Sequence, residues 1–177
     1  DAMSERDTIF ALSSGRPPAA VSVIRISGSR AHVAARRLAG ALPECRTAAV
    51  RELRNPASGE LLDQALVLLF NGPASATGED IVEFQCHGCR AVVDAILGVL
   101  ASVDGLRCAQ PGEFTRRAFE NGRIDLTEAE GLADLIEAET ETQRKAALAL
   151  AEGGLRKQVA NWQEQLLALS AQVERTI

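Results

Sequence analysis

The sequence contains no tyrosine, one tryptophan and five phenylalanines among its 177 residues. Readers of single-stranded RNA stack bases on aromatic side chains, so this composition counts against an RRM-like module. Basic charge is also scarce. Lysine and arginine number 19 against 24 acids, a net charge of −5, which argues against a dedicated nucleic-acid-binding domain. The stretch from Thr127 to Glu141 holds six acids and no base. Long apolar runs are missing as well. The longest uncharged stretch, Gln64 to Gly78, contains Asn71-Gly72-Pro73 and cannot form a membrane helix. Asp1-Ala2 precede Met3, the expected natural start, and the polar N-terminus offers no signal-peptide core. Four scattered cysteines are too few for a disulfide scaffold. The expectation is a cytoplasmic protein with reduced thiols.

Several chemistries lack their residues. There is no G-x-S-x-G, and two histidines leave little material for a triad. Neither G-x-x-x-x-G-K-[ST] nor G-x-G-x-x-G occurs, so the chain is expected neither to bind nor to hydrolyse GTP. Cys86-His87-Gly88-Cys89 has the spacing of half a zinc site or a redox pair. A structural zinc needs four ligands, and Cys45, Cys108 and His32 stand alone in the sequence. The expected role is two small residues at a strand-to-helix turn, with His87 in a structural hydrogen bond or against a ligand.

What is present is a soluble, core-forming composition, 46% hydrophobic and 24% charged. Two textures follow one another. Up to about Ala109, short β-rich runs alternate with helical patterns. Strands are predicted at Thr8–Leu12, Ala20–Ile26, Leu61–Phe70, Asp80–Cys86 and Leu106–Ala109. Helices are predicted from a Ser29 cap through Leu38 and over Arg90–Val103. From Pro111 the pattern is helical. One helix runs to Glu120 and stops at Asn121-Gly122, with Glu113 complementing its dipole. Asp125-x-x-Glu128 resembles a capping box, followed by an apolar stripe of Leu132, Leu135 and Ile136. Gly153-Gly154 marks a kink or break. Leu155, Val159, Trp162, Leu166, Leu169 and Val173 then form a heptad-like seam, expected to pack within a helical bundle. The seam is still running at Ile177, so a longer natural chain is expected.

Ionic residues stand within otherwise apolar strands. Arg25 interrupts A-V-S-V-I-R-I, and Glu83 lies between Val82 and Phe84. A charge in such surroundings must be paired or must face a polar ligand. Two readings stay open: an internal pair of Arg25 with Glu83, or a pocket whose carboxylate accepts two hydrogen bonds from an amino-heterocycle.

Together, several strings resemble one family. They are Asp7-Thr8-Ile9, Arg25-Ile26-Ser27-Gly28, Thr77-Gly78-Glu79-Asp80 with Glu83, and His87-Gly88. Further on come Pro111-Gly112-Glu113-Phe114-Thr115-x-Arg117-Ala118-Phe119, Asn121-Gly122-Arg123-x-Asp125-Leu126, and Ala129-Glu130 with Ala133-Asp134-Leu135-Ile136. In this order and spacing the chain resembles the N-terminal part of the MnmE/TrmE family of tRNA modification GTPases. The resemblance implies an α+β fold: an N-terminal mixed α/β tetrahydrofolate-binding and dimerisation domain, about residues 3–120, then an incomplete α-helical domain, residues 121–177. It implies a reduced folate, 5-formyl- or 5,10-methylenetetrahydrofolate, as one-carbon donor, with Arg25, Glu83 and Arg123 as its contacts. It implies GTP, Mg2+ and K+ in a GTPase domain absent from these residues. Implied partners are a second copy of the chain, a flavoprotein of the MnmG (GidA) family and tRNA, whose wobble uridine is modified at C5; no membrane is involved. For this chain alone, tRNA binding is expected to be weak and salt-sensitive. Arg123 departs from the lysine common in the family. Ser13-Ser14-Gly15-Arg16-Pro17-Pro18 departs from a glycine-rich loop, and Cys86 and Cys89 stand where glycine is usual. A rival reading is a dimerisation scaffold without a working folate pocket.

Overall fold

The computed structural model describes residues 7–174, so Met3 and Ile177 lie outside the described residues. The chain divides into two compact units, one ending at Arg123 and the other beginning at Ile124. The first is α+β and the second all helical.

The first unit comprises β1 (Thr8–Leu12), β2 (Val21–Ser27), α1 (Ala31–Ala39), β3 (Ala49–Arg54), β4 (Leu61–Phe70), β5 (Ile81–His87), α2 (Arg90–Ala101), β6 (Leu106–Cys108) and α3 (Glu113–Glu120). Its strands form one sheet in the order β3-β4-β5-β2-β1-β6. Neighbours are antiparallel except β1 and β6, which are parallel. Alternation decides which way each strand faces. Ile24 and Ile26 of β2, Val82 and Phe84 of β5, and Ala65 and Val67 of β4 are buried on one face. Ala31, Ala35 and Leu38 of α1 and Val93, Ile96 and Leu100 of α2 share that core. Each large side chain buried there contributes roughly 1.5–3 kcal/mol, so a one-residue register slip would be costly. The opposite residues, Val23 and Arg25, Glu83 and Gln85, Leu66 and Leu68, are only half-buried.

Two local expectations change. The helix predicted from Ser29 begins at Ala31, with Arg30 at its N-cap and no side-chain cap. Thr8 Oγ1 accepts from Arg30 N at 3.0 Å and Gly28 O from Ala31 N at 3.0 Å, so a neighbouring strand and the turn itself satisfy those donors. Strand β3 was not anticipated; Ala-Val-Arg-Glu-Leu-Arg buries only Leu53, the pattern of a charged edge strand.

The second unit contains α4 (Leu126–Glu137), α5 (Glu141–Ala151) and α6 (Gly154–Glu174). The capping box forms at Asp125: its Oδ1 accepts from Glu128 N at 2.8 Å, and Glu128 Oε2 accepts from Asp125 N at 2.7 Å. Thr140 and Gln143 build a second one that opens α5. The predicted break at Gly153-Gly154 separates α5 from α6. At Gly131 α4 comes so near the end of α5 that an added Cβ would lie 2.6 Å from Ala151 N. The expected apolar stripe of α4 is not the buried one: Leu132 is exposed and Ile136 is 79% exposed. On α6, Leu155, Val159, Trp162 and Leu166 are exposed rather than packed on α4 or α5; the side chains of Leu169 and Val173 lie outside the described residues. No described helix is long and apolar enough to cross a membrane.

Candidate functional site

Antiparallel pairing places Arg25 of β2 directly opposite Glu83 of β5, with Ala11 of β1 and Leu68 of β4 on either side. Arg25 Nε donates to Glu83 Oε1 at 2.8 Å, and Nη2 lies 2.7 Å from the same oxygen. Among the described residues Oε2 takes no contact. The pair is 29% and 15% exposed, so it is reachable from the half-covered face of the sheet. The ring of Phe114 on α3 stands 5.6 Å from the Arg25 guanidinium carbon, within cation–π range.

A polar hub joins Ser27, at the end of β2, to the loop before β5 and to α3. Arg117 Nη1 donates to Glu79 Oε2 at 3.1 Å and Oε1 at 3.2 Å. Its Nη2 donates to Asp7 O at 2.8 Å and Glu113 Oε1 at 3.3 Å. Ser27 Oγ donates to Glu79 Oε2 at 2.7 Å and lies 2.7 Å from Thr77 Oγ1. Its single proton goes to the carboxylate, so Thr77 donates to Ser27. Glu113 is clamped from the other side, its Oε1 accepting from Arg107 Nη2 at 2.6 Å and its Oε2 from Arg107 Nη1 at 2.9 Å and Gln110 N at 2.8 Å. Asn121 Nδ2 donates to Thr77 O at 2.7 Å. Gly78 sits at φ +80°, and a Cβ there would lie 2.8 Å from Asn121 Cβ. The Thr77–Asp80 turn and the Asn121–Arg123 turn therefore close only over glycine.

The three residues singled out in the sequence fare differently. Arg25 and Glu83 meet. Arg123 bonds elsewhere: its Nε donates to Ser75 O at 3.0 Å, tying the end of α3 to the loop before β5. Glu79, Glu113 and Arg117 were not singled out as site residues. The signal for Glu113 and Arg117 was an acid and a base four apart on one helix, in a sequence where Glu113 was credited only with dipole stabilisation. His87 is exposed and hydrogen-bonded, its Nδ1 2.7 Å from Asp63 Oδ1. Cys86 is buried, and burial is the main cause pushing its thiol up to about 11; it is no nucleophile at neutral pH. The described residues contain no cluster of metal-ligating side chains.

The clamp on Glu113 predicts a pH dependence. The Arg107 hydrogen bonds hold its carboxyl well below 4.5, at about 2, against the opposing effect of burial. A depressed folded value means stability present above the unfolded value and lost as pH falls through the folded one. The contribution is on the order of 3 kcal/mol. Urea unfolding of wild type should therefore weaken between pH 4.5 and pH 2. Glu113→Gln should show a visibly shallower fall over that window; identical slopes would place the acid sensitivity elsewhere.

The chain matches known proteins along nearly its whole length. Residues 8–123 match the family model for the GTP-binding protein TrmE N-terminus, and residues 126–177 match that for the MnmE helical domain. The chain is 60% identical over 171 residues to the tRNA modification GTPase MnmE of Erythrobacter litoralis, covering 97% of this chain and 40% of that protein. It is 57% identical over 171 residues to that of Novosphingobium aromaticivorans, covering 97% and 39%. For Zymomonas mobilis subsp. mobilis the identity is 56% over 168 residues, covering 94% and 39%. The chain thus spans about two-fifths of the length of the curated relatives it matches. With both matches lying end to end along it, this chain belongs to the MnmE/TrmE family, matching its N-terminal domain over residues 8–123 and its helical domain over residues 126–177.

Proposed function

We propose that this chain is the N-terminal part of a tRNA-modifying GTPase that installs a carboxymethylaminomethyl-type group at C5 of the wobble uridine. Its first domain, about residues 3–120, binds a reduced folate, 5-formyl- or 5,10-methylenetetrahydrofolate, as one-carbon donor and self-associates. Residues 121–177 are the first helices of the helical domain. One observation carries the folate reading. Arg25 uses only Oε1 of Glu83, leaving Oε2 as an acceptor on a partly exposed carboxylate. A pterin presents an amino group and a ring N–H side by side. A carboxylate offers roughly four lone-pair sites, so Glu83 can serve both donors while keeping Arg25. Phe114 supplies apolar ring surface beside the pair. Arg123 and Arg25 keep guanidinium N–H groups for ligand oxygens.

The half-covered apolar residues Val23, Leu66 and Leu68 support self-association through the same sheet face. In the whole protein, GTP with Mg2+ and K+ occupies a separate GTPase domain. A flavoprotein of the MnmG (GidA) family and tRNA are its partners in the cytoplasm. The second reading, a dimerisation scaffold without a working folate pocket, is favoured by the closed Arg25–Glu83 pair. Calorimetric titration with 5-formyltetrahydrofolate separates the two. Saturable binding is expected; no heat at millimolar ligand would favour the scaffold.

A further inference from the structure

We propose that the groove between the end of α1 and strand β3 binds the phosphate backbone of RNA; this rests on tRNA being the partner of the protein. The groove has a volume of about 480 Å³ and is lined by Arg36, Arg37, Arg51 and Arg54 against a single carboxylate, Glu52. In a chain with more acids than bases, four guanidiniums at one place are a local reversal of charge. The arginines are not equivalent. Arg54 Nη2 lies 2.8 Å from Glu52 Oε2, and Arg51 Nε donates to Ala41 O at 2.7 Å. Arg36 and Arg37 are exposed in the last turn of α1, and their side chains make no ion pair or hydrogen bond among the described residues. Cations there complement the helix dipole, but their side chains remain free to meet an anion.

The groove lining contains no aromatic residue, so it offers nothing on which a base can stack. Guanidiniums without stacking platforms recognise phosphates rather than sequence. An acidic peptide added as a strand on β3 is the competing partner, and the edge is poorly made for it. Arg51 Nη1 already donates to Val50 O at 2.9 Å, and the β3–β4 register shifts between Leu53 and Arg54. Such irregularities and charges are what keep an edge from accepting another strand.

The test uses the 177-residue chain and fluorescently labelled tRNA, followed by anisotropy over roughly 20–200 mM salt. Wild type should bind at the low-salt end and lose affinity steeply. Arg36→Gln with Arg37→Gln should weaken low-salt binding about tenfold and lower the log–log salt slope by about two. Arg90→Gln with Lys157→Gln removes the same net charge at exposed sites outside the groove and should leave the slope nearly unchanged. Circular dichroism checks that each variant is folded. If both double variants lose affinity equally, or neither does, the groove is not the site although tRNA remains a ligand. If wild type shows no tRNA binding at low salt, the tRNA reading fails for this chain together with the groove. Groove-dependent binding of labelled polyglutamate without groove-dependent tRNA binding would assign the surface to an acidic peptide instead.

Discussion

Glu83→Gln is expected to weaken 5-formyltetrahydrofolate binding at least tenfold while leaving the domain folded. In wild type the carboxylate serves Arg25 through Oε1 and has Oε2 to offer. The glutamine amide holds one acceptor and one donor. If its oxygen stays with Arg25, its amino group faces the pterin donors. A buried polar group left unmatched costs about 1–3 kcal/mol, more when charge is lost, and 1.4 kcal/mol is a factor of ten. Arg123→Lys, which restores the common family residue, should be milder than Arg123→Ala, because lysine loses the fork but keeps the positive charge. Calorimetry on each folded variant decides. Equal affinity in wild type and Glu83→Gln would leave Glu83 as the partner of Arg25 and nothing more.

Arg117→Met should have the largest effect on stability. Arg117 is 3% exposed, and Glu113 is equally buried at 3%. The substitution leaves Glu79 without its guanidinium and Asp7 O without its donor. Glu113 keeps Arg107 but loses its neighbour one turn away. Breaking a buried ion pair from one side costs about 3–5 kcal/mol, against a total of roughly 5–15 kcal/mol for a native domain. At about 2–4 °C or more per kcal/mol, the melting temperature of the first unit should fall by about 10 °C or more. The double variant Glu79→Gln with Arg117→Met should recover part of this, since no uncompensated carboxylate then remains at Glu79. A fall of under about 2 °C for Arg117→Met alone would show that water takes over its role.

Much of the sheet could be read from the chain, and the reason is alternation. Strands β1 and β4 span their predicted limits, and β2 and β5 are shifted by one residue, because each sets large apolar residues on one side. Strand β3 escaped notice because its alternation is between charges, with Leu53 alone buried. Ser29 looked like a cap only as long as Thr8 was out of view. The α4 stripe misled for a different reason: its helix contact is made by Gly131, which has no side chain for a periodicity argument to count. For the candidate site, a lone charge in each of two apolar strands was enough to point to Arg25 and Glu83. The i,i+4 spacing of Glu113 and Arg117 was the one local signal; nothing local showed that Glu79, 38 positions from Arg117, would join them. The family strings were legible as strings before their common purpose was. In the structure Asp7, Glu79 and Glu113, from three of those strings, meet at the Arg117 guanidinium.

That fastening has a consequence for how the chain emerges during synthesis. Arg117 donates to a carbonyl 110 residues behind it, and β1, the first strand made, takes its parallel neighbour β6 from the last strand of the unit. Until β6 has left the ribosome, one edge of β1 lacks its neighbour, and until α3 follows, the carboxylate of Glu79 lacks Arg117. The residues of strands β2 to β5 are all made before β6, so the sheet centre is complete in the chain while the rim still lacks its last strand. Open strand edges of this kind invite association with other chains. Strand β6 closes that edge, and Arg117 then ties Glu79 to the Asp7 carbonyl, which makes α3 the latch of the domain as well as the support of its candidate site.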